Sequence, residues 1–353
     1  MAGLKSGLFR LGLSALWYTG AAKLLEPFTR GVGTILMMHR VQPSAVHGMF
    51  APNRDLSITP DYLDALIRRL RAARIDMVTL DEAIVRLGQP ERQRTFVCFT
   101  ADDGYRDNFD HAYPVFRRHG VPLTVYVTSG FIDGTMPMWW HVLEMAIVRR
   151  ERLTVDLGGH KTTFELRDNE AKSRAFATIA AEFFRLAVPG VRALVAAVAE
   201  AAALDPFAES ARELCTWSIL GEMQRSGLVE IGCHTVNHAV LANETEAAAR
   251  AEMVDARDRI AVVLGRAPRH FAYPYGKPEQ AGMREFALAR EIGFASAVTT
   301  RKASLYAAHR AHLDALPRVE VSPNFESSAH YLRTVLTGLP LIYWNGGRRV
   351  VVD

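Results

Sequence analysis

Cysteine is scarce in this chain. There are three in 353 residues, Cys98, Cys215 and Cys233, and none forms a Cys-x-x-Cys pair. That number cannot build a disulfide framework, so the expectation is reduced, mostly buried thiols. Lysine is scarce too: six of the 42 basic residues are Lys and the rest are Arg. The 38 acidic residues are interspersed among them, with no long basic run. A net charge of +4 distributed in this way does not mark a nucleic-acid-binding protein. No apolar run reaches about 18 residues, which excludes a predicted transmembrane helix. Internal repeats and low-complexity linkers are absent as well. What is present, 49% apolar and 23% charged residues, is ordinary globular composition. The length suits two or three units, or one large α/β domain with an insertion, and it can bury a full core.

The first thirty residues carry an amphipathic pattern. Leu4, Leu8, Leu11, Ala15, Tyr18, Ala22 and Leu25 recur at helical spacing, among Lys5, Arg10 and Lys23. Arg10 interrupts the apolar run that a secretory signal needs, and Glu26-Pro27 is expected to end the helix. Two readings stay open. The stripe packs on its own domain, or it lies on an anionic membrane surface with Trp17 and Phe9 among its apolar residues. The corresponding expectation for location is the cytoplasm, with peripheral contact at the inner face of the membrane.

From there the pattern alternates strands with helices. Strands are expected at Thr34–His39, Thr95–Thr100, Val121–Thr128, Val229–Cys233, His270–Pro274, Phe294–Thr299 and Arg318–Val321. Helices are expected over 60–74, from about Asp107 to His119 closed by Gly120, through Glu222–Arg225, and over Ala247–Leu264. This alternation implies a mostly parallel sheet or barrel. About a hundred residues separate the third and fourth strands, far more than a βα connection needs. Residues 135–215 are therefore read as a mainly helical insertion, Ala-rich over 168–203 and interrupted at Pro189-Gly190.

Four motifs fall at strand ends, where parallel α/β proteins build sites. In Thr100-Ala101-Asp102-Asp103-Gly104, adjacent carboxylates can point in different directions, one to a metal and its neighbour to a water. The plain alternative is a solvated turn with an Asp as helix cap. In His234-Thr235-Val236-Asn237-His238, two His at i and i+4 share a face of a helix or helical turn, a spacing suited to chelation. With Asp103 they make two imidazoles and one carboxylate, a set that leaves positions open on Zn²⁺ or a similar ion. In Phe271-Ala272-Tyr273-Pro274-Tyr275-Gly276, aromatics around a turn form either a wall for a sugar ring or plain core. His39 is the fourth, a lone His that gains weight from its place after a strand.

Taken in order, Thr-Ala-Asp-Asp-Gly, His-Thr-x-x-His and Tyr-Pro-Tyr-Gly resemble the polysaccharide deacetylases of the nodulation protein B (chitooligosaccharide deacetylase) type, carbohydrate esterase family four. The resemblance spans roughly residues 34–321. It implies a distorted (β/α) barrel with a helical insertion: an N-terminal helix over 1–30, the barrel over 31–134 and 216–325, the insertion over 135–215 and a C-terminal segment over 326–353. The implied activity is hydrolysis of an N-acetyl group on a polysaccharide, an oligosaccharide or a lipid-linked sugar, with one divalent ion, Zn²⁺. By motif, Asp102 is the general base, Asp103, His234 and His238 are the metal ligands, and the Tyr275 N–H helps hold the oxyanion beside Pro274. Many members place an Arg, where this chain has Ala272, to orient the catalytic Asp. Many also keep an acid His in a C-terminal Leu-x-His, and here His309, His312 and His330 lack that setting. Leu36-Met37-Met38-His39-Arg40-Val41 resembles the first strand of circularly permuted members, which makes His39 the acid. Trp139-Trp140-His141 resembles an aromatic element of that subgroup, with Trp140 facing either the sugar or the core.

The chemistry suits these roles. An amide is a poor electrophile with a poor leaving group, so it needs a polarised carbonyl, an activated water and a proton for the amine. Rival readings are a deformylase or O-deacetylase using the same site, a catalytically silent sugar-binding protein, and a glycosyltransferase using the Asp pair. The intact ligand set argues against the silent protein, and the missing nucleotide motif argues against the transferase.

Overall fold

The computed structural model describes residues 2–43, 50, 52–89, 94–326 and 328–352. In chain order the strands are β1 (Gly33–Met38), β2 (Arg40–Val41), β3 (Ser57–Ile58), β4 (Asp76–Met77), β5 (Phe96–Ala101), β6 (Leu123–Val127), β7 (Arg152–Leu157), β8 (His160–Glu165), β9 (Val229–Cys233), β10 (His270–Ala272), β11 (Ser296–Val298) and β12 (Val319–Glu320). The main sheet runs in the order β11-β10-β9-β6-β5-β1-β12, with β4 paired beside β5, and every pairing in it is parallel. β1, β5 and β6 are buried along their whole length, which is why their sequences read as unbroken apolar runs. The sheet curls until the segment entering β12 meets β11. There the Leu316 N–H donates to Ala297 O and the Thr299 N–H to Leu316 O, both at 2.9 Å. All seven expected strands are present, and the distorted parallel barrel is the observed fold.

Helices cover the outside of the barrel by ordinary local rules. The Pro60–Ala72 helix starts at Thr59, whose side chain accepts from the Tyr62 N–H at 3.2 Å, with Pro60 in its first turn. It buries Leu63, Leu66, Ile67 and Leu70, the spacing read from sequence. Gly120 and Gly265 close their helices in the left-handed conformation. The three cysteines are buried and free.

Residues 135–215 form a layer with a core of its own, in which Trp139, Leu143, Ile147, Val155, Ile179 and Val198 pack together. The layer also contains the antiparallel hairpin β7–β8, whose short alternation buries only Leu153 and Val155 on β7 and escapes a helical reading. Pro189 opens the Val188–Ala202 helix instead of interrupting one, and the preceding helix is Asn169–Phe183.

The N-terminal region differs from expectation more sharply. It is two helices, α1 (Ala2–Tyr18) and α2 (Ala21–Thr29), joined at Gly20 with φ 75°. Pro27 lies inside α2 and does not end it at Glu26. Among the described side chains of α1 the buried one is Leu13, while Leu11, Ala15 and Tyr18 of the expected inward stripe are exposed; the side chains of Leu4 and Leu8 lie outside the described residues. α1 and α2 pack against the C-terminal helices Ala329–Leu336 and Leu339–Trp344.

Candidate active site at the carboxyl ends of the strands

The site begins where β5 stops. The Asp102 N–H continues the ladder to Met38 O at 3.1 Å. Asp103 (φ 73°) and Gly104 (φ 76°) then both take left-handed conformations, which turns consecutive side chains in different directions. Three further non-glycine residues here share that strained region: Thr235, His238 and Tyr275. Such conformations persist only where their surroundings enforce them, and they gather at functional sites.

Asp102 turns to an arginine. Arg318, fully buried at the seam before β12, donates from Nη1 and Nη2 to the two carboxylate oxygens at 2.7 Å each. Its Nε donates to Thr299 O at 2.9 Å, so the guanidinium plane is fixed from the opposite side. Burial by itself would raise the Asp102 pKa. The Arg318 charge and hydrogen bonds outweigh it and hold the carboxyl below its ordinary value. The sequence reading missed Arg318. Ala272 sits buried in β10, and the orienting contact expected from that strand comes instead from the segment entering β12.

Asp103 turns to the histidines. Its Oδ1 lies 3.2 Å from His238 Nε2 and 3.6 Å from His234 Nε2, and all three residues are buried. Ligand atoms around a tetrahedral ion with bonds of about 2.1 Å are about 3.4 Å apart, so the three atoms already stand at coordinating separations. Asp103 Oδ1 is buried without a hydrogen-bond partner, which is costly unless a cation takes it. His234 Nδ1 donates to Ala272 O at 2.7 Å, leaving the Nε2 lone pair toward Asp103. Burial pushes the His234 pKa down to about 4, which keeps the imidazole neutral. Burial opposes ionisation of Asp103, but the neighbouring His238 outweighs it and holds the carboxyl well below its usual range. A neutral imidazole beside an ionised carboxylate is the state a metal requires. The donor set therefore fits a divalent ion.

The two histidines do not share a helical turn. They lie on a loop after β9, in which Thr235 (φ 65°) and His238 (φ 54°) bend the chain back. Glu252, on the Glu246–Leu264 helix, holds this loop by accepting from the Val236 N–H at 3.0 Å and the Asn237 N–H at 2.8 Å. The His238 ring is caged by Trp140 at 4.9 Å, Phe131 at 5.7 Å and Tyr275 at 4.6 Å.

His39 follows β1 and lines the same cleft of about 470 Å³ as Asp102, Asp103, His234 and His238. Asn108 donates to its carbonyl at 2.9 Å, and the next residue, Arg40, pairs with Asp107 at 2.7 Å. Tyr275 borders the cleft with φ 61°, and its N–H has no acceptor among the described residues. Gly276 shares the left-handed turn, and a Cβ there would stand 2.6 Å from Thr300 N. Pro274 shapes this turn, its carbonyl accepting from the Gly276 N–H at 2.7 Å; it is buried and does not line the cleft. Trp140 lines the cleft but is mostly buried, and its indole N–H goes to Tyr105 Oη at 2.8 Å, so it also backs His238. The insertion adds Phe176 and Phe184, and the rim carries Lys277, Lys302 and Glu320. A second His–carboxylate group, Asp81, Glu230 and His270, lies at the starts of β9 and β10, where Arg269 already pairs with Asp81.

Comparison with known proteins identifies the family and the fold. A family model described as polysaccharide deacetylase matches residues 89–295. Among solved structures, the fold is shared with the Streptococcus pyogenes deacetylase PplD in complex with acetate (18% identity, TM-score 0.56, covering 86% of this chain and 97% of that one). It is shared with IcaB from Ammonifex degensii (19% identity, TM-score 0.54, 87% and 97%). It is also shared with a de-N-acetylase from Aggregatibacter actinomycetemcomitans (14% identity, TM-score 0.53, 85% and 98%). No curated protein matches the chain. With the family model covering more than half of the residues, the chain belongs to the polysaccharide deacetylase family and is a carbohydrate deacetylase, a hydrolase.

Proposed function

We propose that this enzyme is a metal-dependent N-deacetylase acting on acetylated glycans, with Asp102 as base and His39 as acid. The observation that carries the proposal is the division of labour in the Asp pair. Asp102 is locked to Arg318, while Asp103 faces two imidazoles with an unsatisfied oxygen. Asp103, His234 and His238 would hold one divalent cation, and Zn²⁺ suits two imidazoles and a carboxylate. That cation, when bound, supplies polarisation of the amide carbonyl and acidification of a water. Asp102, kept ionised by Arg318, takes the proton of the attacking water. The Tyr275 N–H points its dipole at the charge developing on the carbonyl oxygen. His39 delivers a proton to the departing nitrogen, so that a neutral amine leaves. The aromatic wall of Trp139, Phe176 and Phe184 suits the apolar face of a sugar ring, and the open cleft accommodates a chain or a carrier-linked sugar.

His39→Ala should lose on the order of 10²–10⁴ in rate on an N-acetylated sugar, and far less on an aryl acetate, whose phenolate leaves unaided. Equal losses on both substrates would assign His39 a structural role. Full activity on the amide would remove it from the mechanism.

A further inference from the structure

The apolar stripe of α1 was legible in the sequence, yet its described side chains, Leu11, Ala15 and Tyr18, are left exposed. α1 attaches through its other side. Phe9 stacks on Trp344 at 4.8 Å, Leu13 is buried, and Ser14 Oγ and His330 Nε2 are hydrogen-bonded at 3.1 Å. Leu11 and Tyr18 are left 67% and 77% exposed. α2 repeats the arrangement. Its end is fixed by Thr29, whose hydroxyl donates to Thr337 O at 2.6 Å, while Leu24 and Phe28 are 76% and 70% exposed. Arg349 donates to Phe28 O at 3.1 Å, which brings the turn after the last helix beside α2, and Tyr343 within that helix is 83% exposed. One helical layer thus presents several large apolar side chains to solvent, more than scattered surface residues would explain.

Charge identifies what this layer meets. Residues 1–30 and 329–352 contain seven Lys or Arg and one acidic residue, Glu26. That excess is larger than the formal net charge of +4 of the whole chain, so the rest of the molecule is slightly acidic. Glu26 is itself paired with Arg333 at 3.1 Å. A second copy of the chain would set this basic layer against itself, at an electrostatic cost.

We propose that α1, α2 and the C-terminal helices form a docking face for an anionic lipid bilayer, with Leu11, Tyr18, Leu24, Phe28 and Tyr343 entering the interface and the basic residues meeting the headgroups. Phe9 and Trp344, on the inner side of this layer, line a hollow that shares Lys302 and Glu320 with the catalytic cleft. The docking does not rest on the deacetylase reading.

The test is co-sedimentation of the full chain with vesicles of phosphatidylcholine containing phosphatidylglycerol, against pure phosphatidylcholine. Two variants separate the contributions: Leu11→Ser with Leu24→Ser and Phe28→Ser, and Lys23→Glu with Arg30→Glu. All five side chains are exposed, and thermal melts and hydrolysis of a soluble aryl acetate should be unchanged. Wild type should sediment with the anionic vesicles only, and the apolar variant should lose about a hundredfold or more in partitioning. The charge variant should lose binding in a way that raised salt reproduces in the wild type. Wild type that stays in the supernatant, or an apolar variant that binds undiminished, would overturn the proposal. So would self-association of the wild type, without vesicle binding, that the apolar variant abolishes. Loss of vesicle binding with aryl acetate hydrolysis intact keeps the two readings distinguishable.

Discussion

Arg318 sets the protonation state of Asp102 from the far side of the barrel seam. With both oxygens bound, the carboxylate has one charge state and one orientation. Arg318→Met removes the charge and hydrogen bonds that most oppose burial. The Asp102 pKa should then rise, and the acid limb of the kcat/KM–pH profile should move to higher pH. Stripping one partner from a buried pair typically costs about 3–5 kcal/mol. Arg318→Lys, which keeps the charge but not the planar fork, should fold better and shift the limb less. An unmoved limb in the Lys variant, with reduced activity, would show that the arginine only supports packing. The chemistry-bearing residues were legible because carboxylate and imidazole types cluster at strand ends. Arg318 was not, since it meets Asp102 only when the sheet has curled and brought together residues 216 positions apart.

The elements show where local pattern suffices and where it does not. Strand positions followed from apolar runs, and capped helices followed from Thr59, Gly120 and Gly265. The His-x-x-x-His spacing suggested a helical turn, but the pair sits on a loop that owes its shape to another element. Glu252 accepts both loop N–H groups and the Asn237 side chain, and no local signal near His238 announces it. Glu252→Ala should leave the barrel folded while the loop loosens. Outer-shell losses of this kind typically cost about 10–100-fold in metal affinity. Metal titration of the wild type and the variant, followed by equilibrium dialysis, reads the change directly. Unaltered affinity would mean that the aromatic cage around His238 is sufficient. The α1 stripe carries the complementary lesson: periodicity shows that a helix has an apolar face but not which surface covers it.

At the scale of the molecule, one parallel barrel carries the site and the insertion adds a wall with its own core. The barrel also buries neutral histidines away from the cleft. His309 is fully buried, accepts from the Tyr306 N–H at 2.9 Å, and has its pKa pushed down to about 4 by burial. In the unfolded chain a histidine titrates near 6.5. Its contribution is therefore complete above about pH 6.5, declines as the pH falls below that value and is gone below about 4, where both states are protonated. The expected loss over this window is on the order of 3 kcal/mol. Urea melts at a series of pH values should show it, and His309→Asn should flatten the slope. A slope unchanged in that variant would assign the loss to other groups. The central claim concerns the substrate bond, and it is met most directly by mass spectrometry of an N-acetylglucosamine oligosaccharide incubated with zinc-loaded enzyme. The wild type should remove one acetyl mass at a time and leave free amine, a chelator should stop it, and Asp102→Asn should keep the metal and lose about 10²–10⁴ in rate. A glycan that keeps every N-acetyl group with fully metal-loaded enzyme, or one deacetylated equally fast by the Asp102→Asn variant, would contradict this account.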